Sequence, residues 1–278
     1  MGALRPLAAM AFCLALAPAA LAQEANDNLN AVLWMQKSVE YKANAEAVFA
    51  LAKIRLDEAL KDKSRTAAPA EQTGNFRDLT PAVIADADET VLDNSGYQAW
   101  MVAKGETFNP KTWTQFVKSQ TSTAIPGAVE FAKYAESKGV RVFYVTNRTK
   151  EEEPATRENM RKLGFPMTAN IDTILTAREQ PNWGSAKGTR RAVIAKHYRI
   201  LLLLGDNFGD FTDDYKGSVE ERQKVYEANA AHWGTDWLML PNPSYGSFES
   251  APFGHNFKVP LEEQRAAKRA ALAPWSGQ

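Results

Sequence analysis

The chain has 278 residues, 45% hydrophobic and 24% charged, with a formal net charge of zero. That length allows one large domain with an appendage, and the composition is that of a globular protein rather than a disordered or fibrous one. Lysine and arginine form no run or cluster suited to a nucleic-acid groove, so a nucleic-acid polymer is not an expected partner.

Residues 1–22 read as a secretory leader. Arg5 gives a positive start, an apolar run follows, and Ala20-Leu21-Ala22 offers small residues for cleavage near Ala22. The single cysteine, Cys13, follows Phe12 inside the run, away from any lipidation position, so no stable membrane anchor is expected. Removing Arg5 from the 33 basic residues leaves 32 against 33 acidic, a net charge of −1. The mature chain would lack cysteine, which excludes disulfides, thiolate nucleophiles and cysteine metal sites. A periplasmic or secreted location follows.

Residues 28–62 carry a long helical pattern, possible as a helix pair. Leu29, Val32, Leu33, Val39, Ala43, Ala47, Leu51 and Ile54 recur at mostly three- and four-residue steps. Residues 66–75, rich in Ala, Thr, Pro and Gly, read as a linker. Strand and helix then alternate. Strands are expected over 82–85, 140–145, 171–175, 200–204 and 237–240. Helices are expected over 127–138, 151–163, 188–197 and 219–231, with a helical tail over 262–271. Short apolar runs separated by helices suit strands buried on both faces and joined by parallel crossovers. The expected fold is α/β, a doubly wound parallel sheet with a helical appendage from both chain ends. The divisions are 1–22 leader, 23–75 N-terminal helical segment, 76–258 core and 259–278 C-terminal helical tail.

Three strands end in polar clusters: Asp86-Ala87-Asp88-Glu89-Thr90, Thr146-Asn147-Arg148 and Gly205-Asp206-Asn207-Phe208-Gly209-Asp210. In a doubly wound sheet these meet at the carboxyl edge, where ligands bind. Carboxylates without cysteine or histidine form a hard, oxygen-only site suited to Mg2+. Asp86 is a candidate to attack phosphorus and Asp88 to carry a proton, although an aspartate pair at a strand end serves equally as a turn or cap. Thr146 and Lys187 are candidates for holding phosphoryl oxygens. Thr146 is equally able to cap the helix after it, and Lys162 and Lys196 are rival lysines. An EF-hand does not fit: the twelfth position from Asp206 is Gly217, and the sixth from Asp210 is Tyr215. His197, His232 and His255 have no metal-ligand spacing.

The ordered set Asp-x-Asp-x-Thr, strand-end Thr, Lys and Gly-Asp-Asn-x-x-Asp resembles the haloacid dehalogenase superfamily. Residues 31–36 (AVLWMQ), 88–95 (DETVLDNS), 126–128 (PGA), 145–148 (VTNR), 205–207 (GDN) and 240–246 (LPNPSYG) look like the bacterial class C acid phosphatases, relatives of outer-membrane lipoprotein e. The resemblance implies a Mg2+-dependent phosphomonoesterase acting on nucleoside 5′-monophosphates and aryl phosphates. It assigns Asp86 as nucleophile and metal ligand. Asp88 becomes the acid/base, with its backbone carbonyl on the metal, and Asp206 the third metal ligand. Asp210 supports the metal or the lysine, and Thr146 and Lys187 bind phosphate. Trp113 and Tyr245 match aromatics that flank the leaving group, with Trp34, Trp100 and Phe248 as further rim candidates. A homodimer is a family expectation. Two positions depart from relatives: Ala87 where a larger aliphatic residue is usual, and Gly96, expected to loosen its loop. The alternatives are a phosphotransferase or a non-catalytic surface protein binding haem or a nucleotide.

Overall fold

The computed structural model describes residues 26–168 and 170–277. The expected leader, residues 1–22 with Cys13, lies outside them. Among the described residues no helix is long and apolar enough to cross a membrane.

The described residues open with α1 (Leu29–Lys37) and α2 (Val39–Lys61). Ser38 separates them: its backbone is extended and its hydroxyl accepts the Tyr41 amide, so one helix ends and the next is capped. The long helical pattern is therefore a pair. Its buried face differs from the expected one. Tyr41, Ala45, Phe49, Ala52, Leu56 and Ala59 are buried on α2, whereas Val39 and Ile54 on α2 and Leu29 and Leu33 on α1 are exposed. The alanines of this helix support two stripes equally, and the stripe carrying the Tyr41 and Phe49 rings buries more apolar area.

Five parallel strands form the sheet: β1 (Thr80–Ala85), β4 (Arg141–Thr149), β5 (Ile174–Ala177), β6 (Tyr198–Gly205) and β7 (Trp237–Met239), in the spatial order β5-β4-β1-β6-β7. Helices α5 (Ala128–Ser137), α6 (Glu153–Leu163), α7 (Gly188–Ala195) and α8 (Val219–Ala228) make the connections. Val83 and Ala85 face one core with α2 and α5, and Ala82 and Ile84 face the other with α7. This is the expected doubly wound α/β sheet. Its order reverses at β1, between β4 and β6, so the switch point lies at the end of β1.

A stretch without a sequence assignment, residues 92–124, forms a cap. Strands β2 (Leu92–Asp93) and β3 (Thr123–Ala124) pair antiparallel and enclose α3 (Ser95–Lys104) and α4 (Pro110–Ser119). Gly96 stands in the first turn of α3 rather than in a loosened loop. Short α9 (Ser247–Ser250) and α10 (Leu261–Ala270) follow β7. Arg265 on α10 grips Asp27 through two bonds of 2.7 and 2.8 Å, which ties the tail to the segment just before α1.

Residues 66–75 are not a free linker. Register slips where β1 meets β6, leaving Leu201 without a β1 partner and turning the backbone of Ile200 aside. The Ala67 amide donates to Ile200 O at 2.8 Å, and the Ile200 amide donates to Gln72 Oε1 at 3.0 Å. Gln72 Nε2 donates to Ala195 O and Tyr198 O. Ala67 and Ala68 are fully buried. Small residues that suggest a loop are also those that pack closely against a strand.

Candidate active site

Asp86 leaves the carboxyl end of β1, and its amide donates to Leu204 O at 2.9 Å. Lys187, the N-cap residue of α7, donates through Nζ to Asp86 Oδ1 and reaches Asp210 Oδ1 at 2.7 Å. One carboxylate oxygen each from Asp86, Asp206 and Asp210 lies within 4.8 Å of the others. Rival lysines are elsewhere: Lys162 bonds Gln120 at the surface, and Lys196 is exposed at the far end of α7.

Three carboxyl groups against one ammonium leave excess negative charge in a largely buried pocket. Burial, then the neighbouring acids, push the Asp86 carboxyl up against the pull of Lys187. Asp206 is pushed up to about 8 by burial, with Asp210 and Glu89 adding to it. Burial opposes the charge of Lys187, yet Asp210 and Asp86 together hold its ammonium above the usual range. All donors are oxygen, and the charge imbalance is what a hard divalent cation would relieve, so these residues fit one.

Local structure shapes this floor. Asp210 folds back over the end of β6, its Oδ2 accepting the Asn207 amide at 2.9 Å. A Cβ on Gly205 would sit 2.4 Å from Asp210, so only glycine admits that fold-back. Thr90 Oγ1 and Asn242 Nδ2 each donate to Asp206 at 2.8 Å. Arg190, fully buried one turn after Lys187, spans Thr146 O, Asn147 Oδ1 and Gly184 O, which seats α7 against the end of β4.

Asp88 occupies a separate network. Its Oδ1 accepts Arg148 Nε at 2.8 Å and Asn94 Nδ2 at 2.9 Å, and its Oδ2 accepts the Thr146 hydroxyl at 3.0 Å. Thr146 does not cap the following helix: Thr149 does so, in a reciprocal capping box with Glu152.

The aromatic candidates reach this turn by different routes. Trp113 is half-buried on α4, edge-on to Tyr97 at 5.2 Å and beside Phe108 and Phe116, with the Arg148 guanidinium 5.5 Å from its ring centre. Trp100 stacks on Tyr97 in the same cluster, and Trp34 packs on Tyr41. The Tyr245 hydroxyl donates to Glu89 Oε2, and the Asn94 amide donates to Glu89 Oε1 at 3.0 Å. Glu89 is completely buried at φ +56°, a conformation non-glycine residues seldom adopt. Burial, then the charge of Asp88, pushes its carboxyl up to about 8. Phe248 is exposed, in a groove of about 560 Å³ that also includes Asp206 and Asn207.

Arg148, Asn94, Glu89, Thr90, Asn242 and Arg190 form the support that sequence reasoning left without roles. Most lie inside the motifs quoted above. Adjacency to a motif acid does not reveal which carboxylate oxygen a donor will meet.

A doubly wound sheet with carboxylates at its switch point, a lysine between two of them and a small cap defines a phosphoric monoester hydrolase of the haloacid dehalogenase type. The family model for HAD superfamily, subfamily IIIB (acid phosphatase), matches residues 8–248, and the chain belongs to that family. A solved class C acid phosphatase from Bacillus anthracis is 33% identical, with a TM-score of 0.77 over 89% of this chain and 97% of that one. The tungstate-bound structure of the Bacillus anthracis enzyme gives 32% identity and 0.76, with the same coverage. Among curated proteins, the stem 28 kDa glycoprotein of Glycine max is 24% identical over 57% of this chain, and a stem 31 kDa glycoprotein is 25% identical over 57%. The match spans little more than half the length of these plant relatives, 57% and 56%.

Proposed function

We propose that the protein is an exported, Mg2+-dependent acid phosphatase that hydrolyses small phosphomonoesters, nucleoside 5′-monophosphates and aryl phosphates foremost, and works as a homodimer. The observation that carries the reading is the convergence of Asp86, Asp206, Asp210 and Lys187 at the ends of β1 and β6. The tungstate held by the Bacillus anthracis relative, a tetrahedral oxyanion, supports a phosphate-sized site. Export rests on the leader-like residues 1–22, and the leaving-group preference on Trp113 and Tyr245.

Asp86 attacks phosphorus through a carboxylate oxygen, forming an aspartyl-phosphate as the bond to the leaving oxygen breaks. Asp88 gives that oxygen its proton, then takes one from the water that cleaves the aspartyl-phosphate, which releases inorganic phosphate. Lys187 spends two N–H donors on Asp86 and Asp210 and offers its third to a phosphoryl oxygen. The Thr146 hydroxyl turns from Asp88 Oδ2 to the phosphoryl group, which frees Oδ2 for proton transfer. Asp86, Asp206 and the Asp88 backbone carbonyl would hold Mg2+, supported by Asp210. When bound, the ion offsets the repulsion between the phosphoryl oxygens and the attacking carboxylate.

Phosphate release from 5′-AMP, 3′-AMP and p-nitrophenyl phosphate, with Mg2+ and with EDTA, tests this. Release from 5′-AMP and the aryl ester that EDTA abolishes is expected. No release from any ester, or equal release in EDTA, overturns it. An added alcohol competing with water as acceptor would identify a phosphotransferase.

A further inference from the structure

We infer that Arg148 is a positioning residue that makes the two oxygens of Asp88 unequal and couples the cap to proton transfer. The inference rests on the phosphatase reading and on Asp88 as its acid/base.

Arg148 is buried, and each part of its guanidinium is used on a different element. Nε meets Asp88 Oδ1 at 2.8 Å, one terminal nitrogen meets Thr156 Oγ1 on α6 at 3.0 Å, and the other meets Asn94 Oδ1, at the start of α3, at 3.1 Å. One face lies against Trp113 on α4. A planar fork fixed at three points cannot turn, so its Nε–H has one direction.

The partners are themselves anchored. The Thr156 hydroxyl donates to Glu152 O at 2.9 Å. Glu152 accepts Thr114 Oγ1, on the same helix as Trp113, at 2.6 Å. Asn94 accepts the Ser122 hydroxyl at 2.6 Å and returns a bond to Asp88 Oδ1. Asp88 Oδ1 therefore takes two fixed donors, whereas Oδ2 takes only a rotatable hydroxyl. Oδ1 is locked, and Oδ2 is the oxygen that gives and receives the proton.

A buried ion pair contributes little net stability against an apolar replacement. What arginine adds here is direction. Because two of its other contacts, Asn94 and Trp113, belong to the cap, a group that engages Trp113 bears on the aim of Asp88.

The test is the dependence of kcat/KM on the leaving group, because kcat/KM reports on phosphoryl transfer to Asp86 and excludes the aspartyl-phosphate hydrolysis that all esters share. The leaving oxygen of p-nitrophenyl phosphate needs little protonation, whereas that of an alkyl phosphate needs a full proton. Arg148→Lys keeps the charge but loses the fork. It is expected to lower kcat/KM on the alkyl ester by about 10²-fold or more and on the nitrophenyl ester only a few-fold, in line with the ~10²–10⁴ that general acid catalysis supplies. Thr156→Val leaves the Arg148–Asp88 pair in place and removes one anchor of the fork; it should show the same ordering with a smaller loss. An equal fall on both esters, or no fall, in a folded variant overturns the inference. If Arg148→Lys does not fold, the Thr156→Val ratio decides. No turnover of any ester by the unaltered protein overturns the phosphatase reading and this inference with it.

Discussion

At the floor of the site, three carboxyl groups and one ammonium sit at strand ends and a helix start, close together and largely buried. In the cap, Tyr97 and Trp100 on α3, Phe108 in the loop after it, and Trp113 and Phe116 on α4 lean on one another, and the β2–β3 pairing encloses the two helices. Electrostatics governs the floor, where removal of one partner strands a buried charge. Apolar contact governs the cap, where each ring contributes a fraction and neighbours can adjust. The floor is therefore unforgiving, and the cap is tolerant of change. Arg148 belongs to both, a charge with one face on a ring.

The sharpest separation comes from Asp86→Asn. It keeps the side-chain shape but removes the oxygen proposed to attack phosphorus, and turnover should fall by on the order of 10⁴-fold or more; Asp210 still pairs Lys187, so the melting temperature should change little. Residual activity near that of the unaltered protein would show that the floor does not do the chemistry. Lys187→Met comes next. It leaves Asp86 and Asp210 facing each other unpaired, at a cost of about 3–5 kcal/mol in EDTA, part of which Mg2+ restores. A thermal shift no larger than that of a cap variant would erase the contrast.

The floor should also show its charge as a pH dependence. Asp206 is raised from 3.8 to about 8 and Glu89 from 4.5 to about 8. Folding favours the protonated forms, so their stabilising effect is complete below the unfolded values and is lost as pH rises through about 8. In EDTA the melting temperature should fall between about pH 4 and about pH 8, and Mg2+ should flatten the fall, because a bound cation favours the ionised carboxylates. A flat profile in EDTA would contradict the buried charge excess. The smallest effect belongs to the cap. Trp113→Leu should raise KM for 5′-AMP by about 10–100-fold, the ~1–3 kcal/mol of one stacked base. KM for glycerol phosphate should change little, and a parallel rise there would remove Trp113 from leaving-group contact.

The same division decides how much could be read without coordinates. The sheet strands were legible because a doubly buried strand needs an unbroken apolar run, and Leu201-Leu202-Leu203-Leu204 has few other uses. The acids at their ends were legible because a strand end places its next residue at the sheet edge regardless of what lies elsewhere. The cap was not assigned, since its helices are short and its rings find their partners across turns rather than within one period. The buried face of α2 was misread because alanine favours no face, and the strap at residues 66–75 because small residues serve loops and close packing alike.

The sequence by itself determined the family, the parallel sheet and the identity of the acids, which are local properties of apolar runs and the residues that end them. Tertiary structure alone decided which oxygen of Asp88 meets Arg148, that Thr146 faces Asp88, and that Glu89 reaches Tyr245. A hydrogen bond depends on angles and tenths of an ångström between segments 50 or more residues apart, and no linear pattern carries that information.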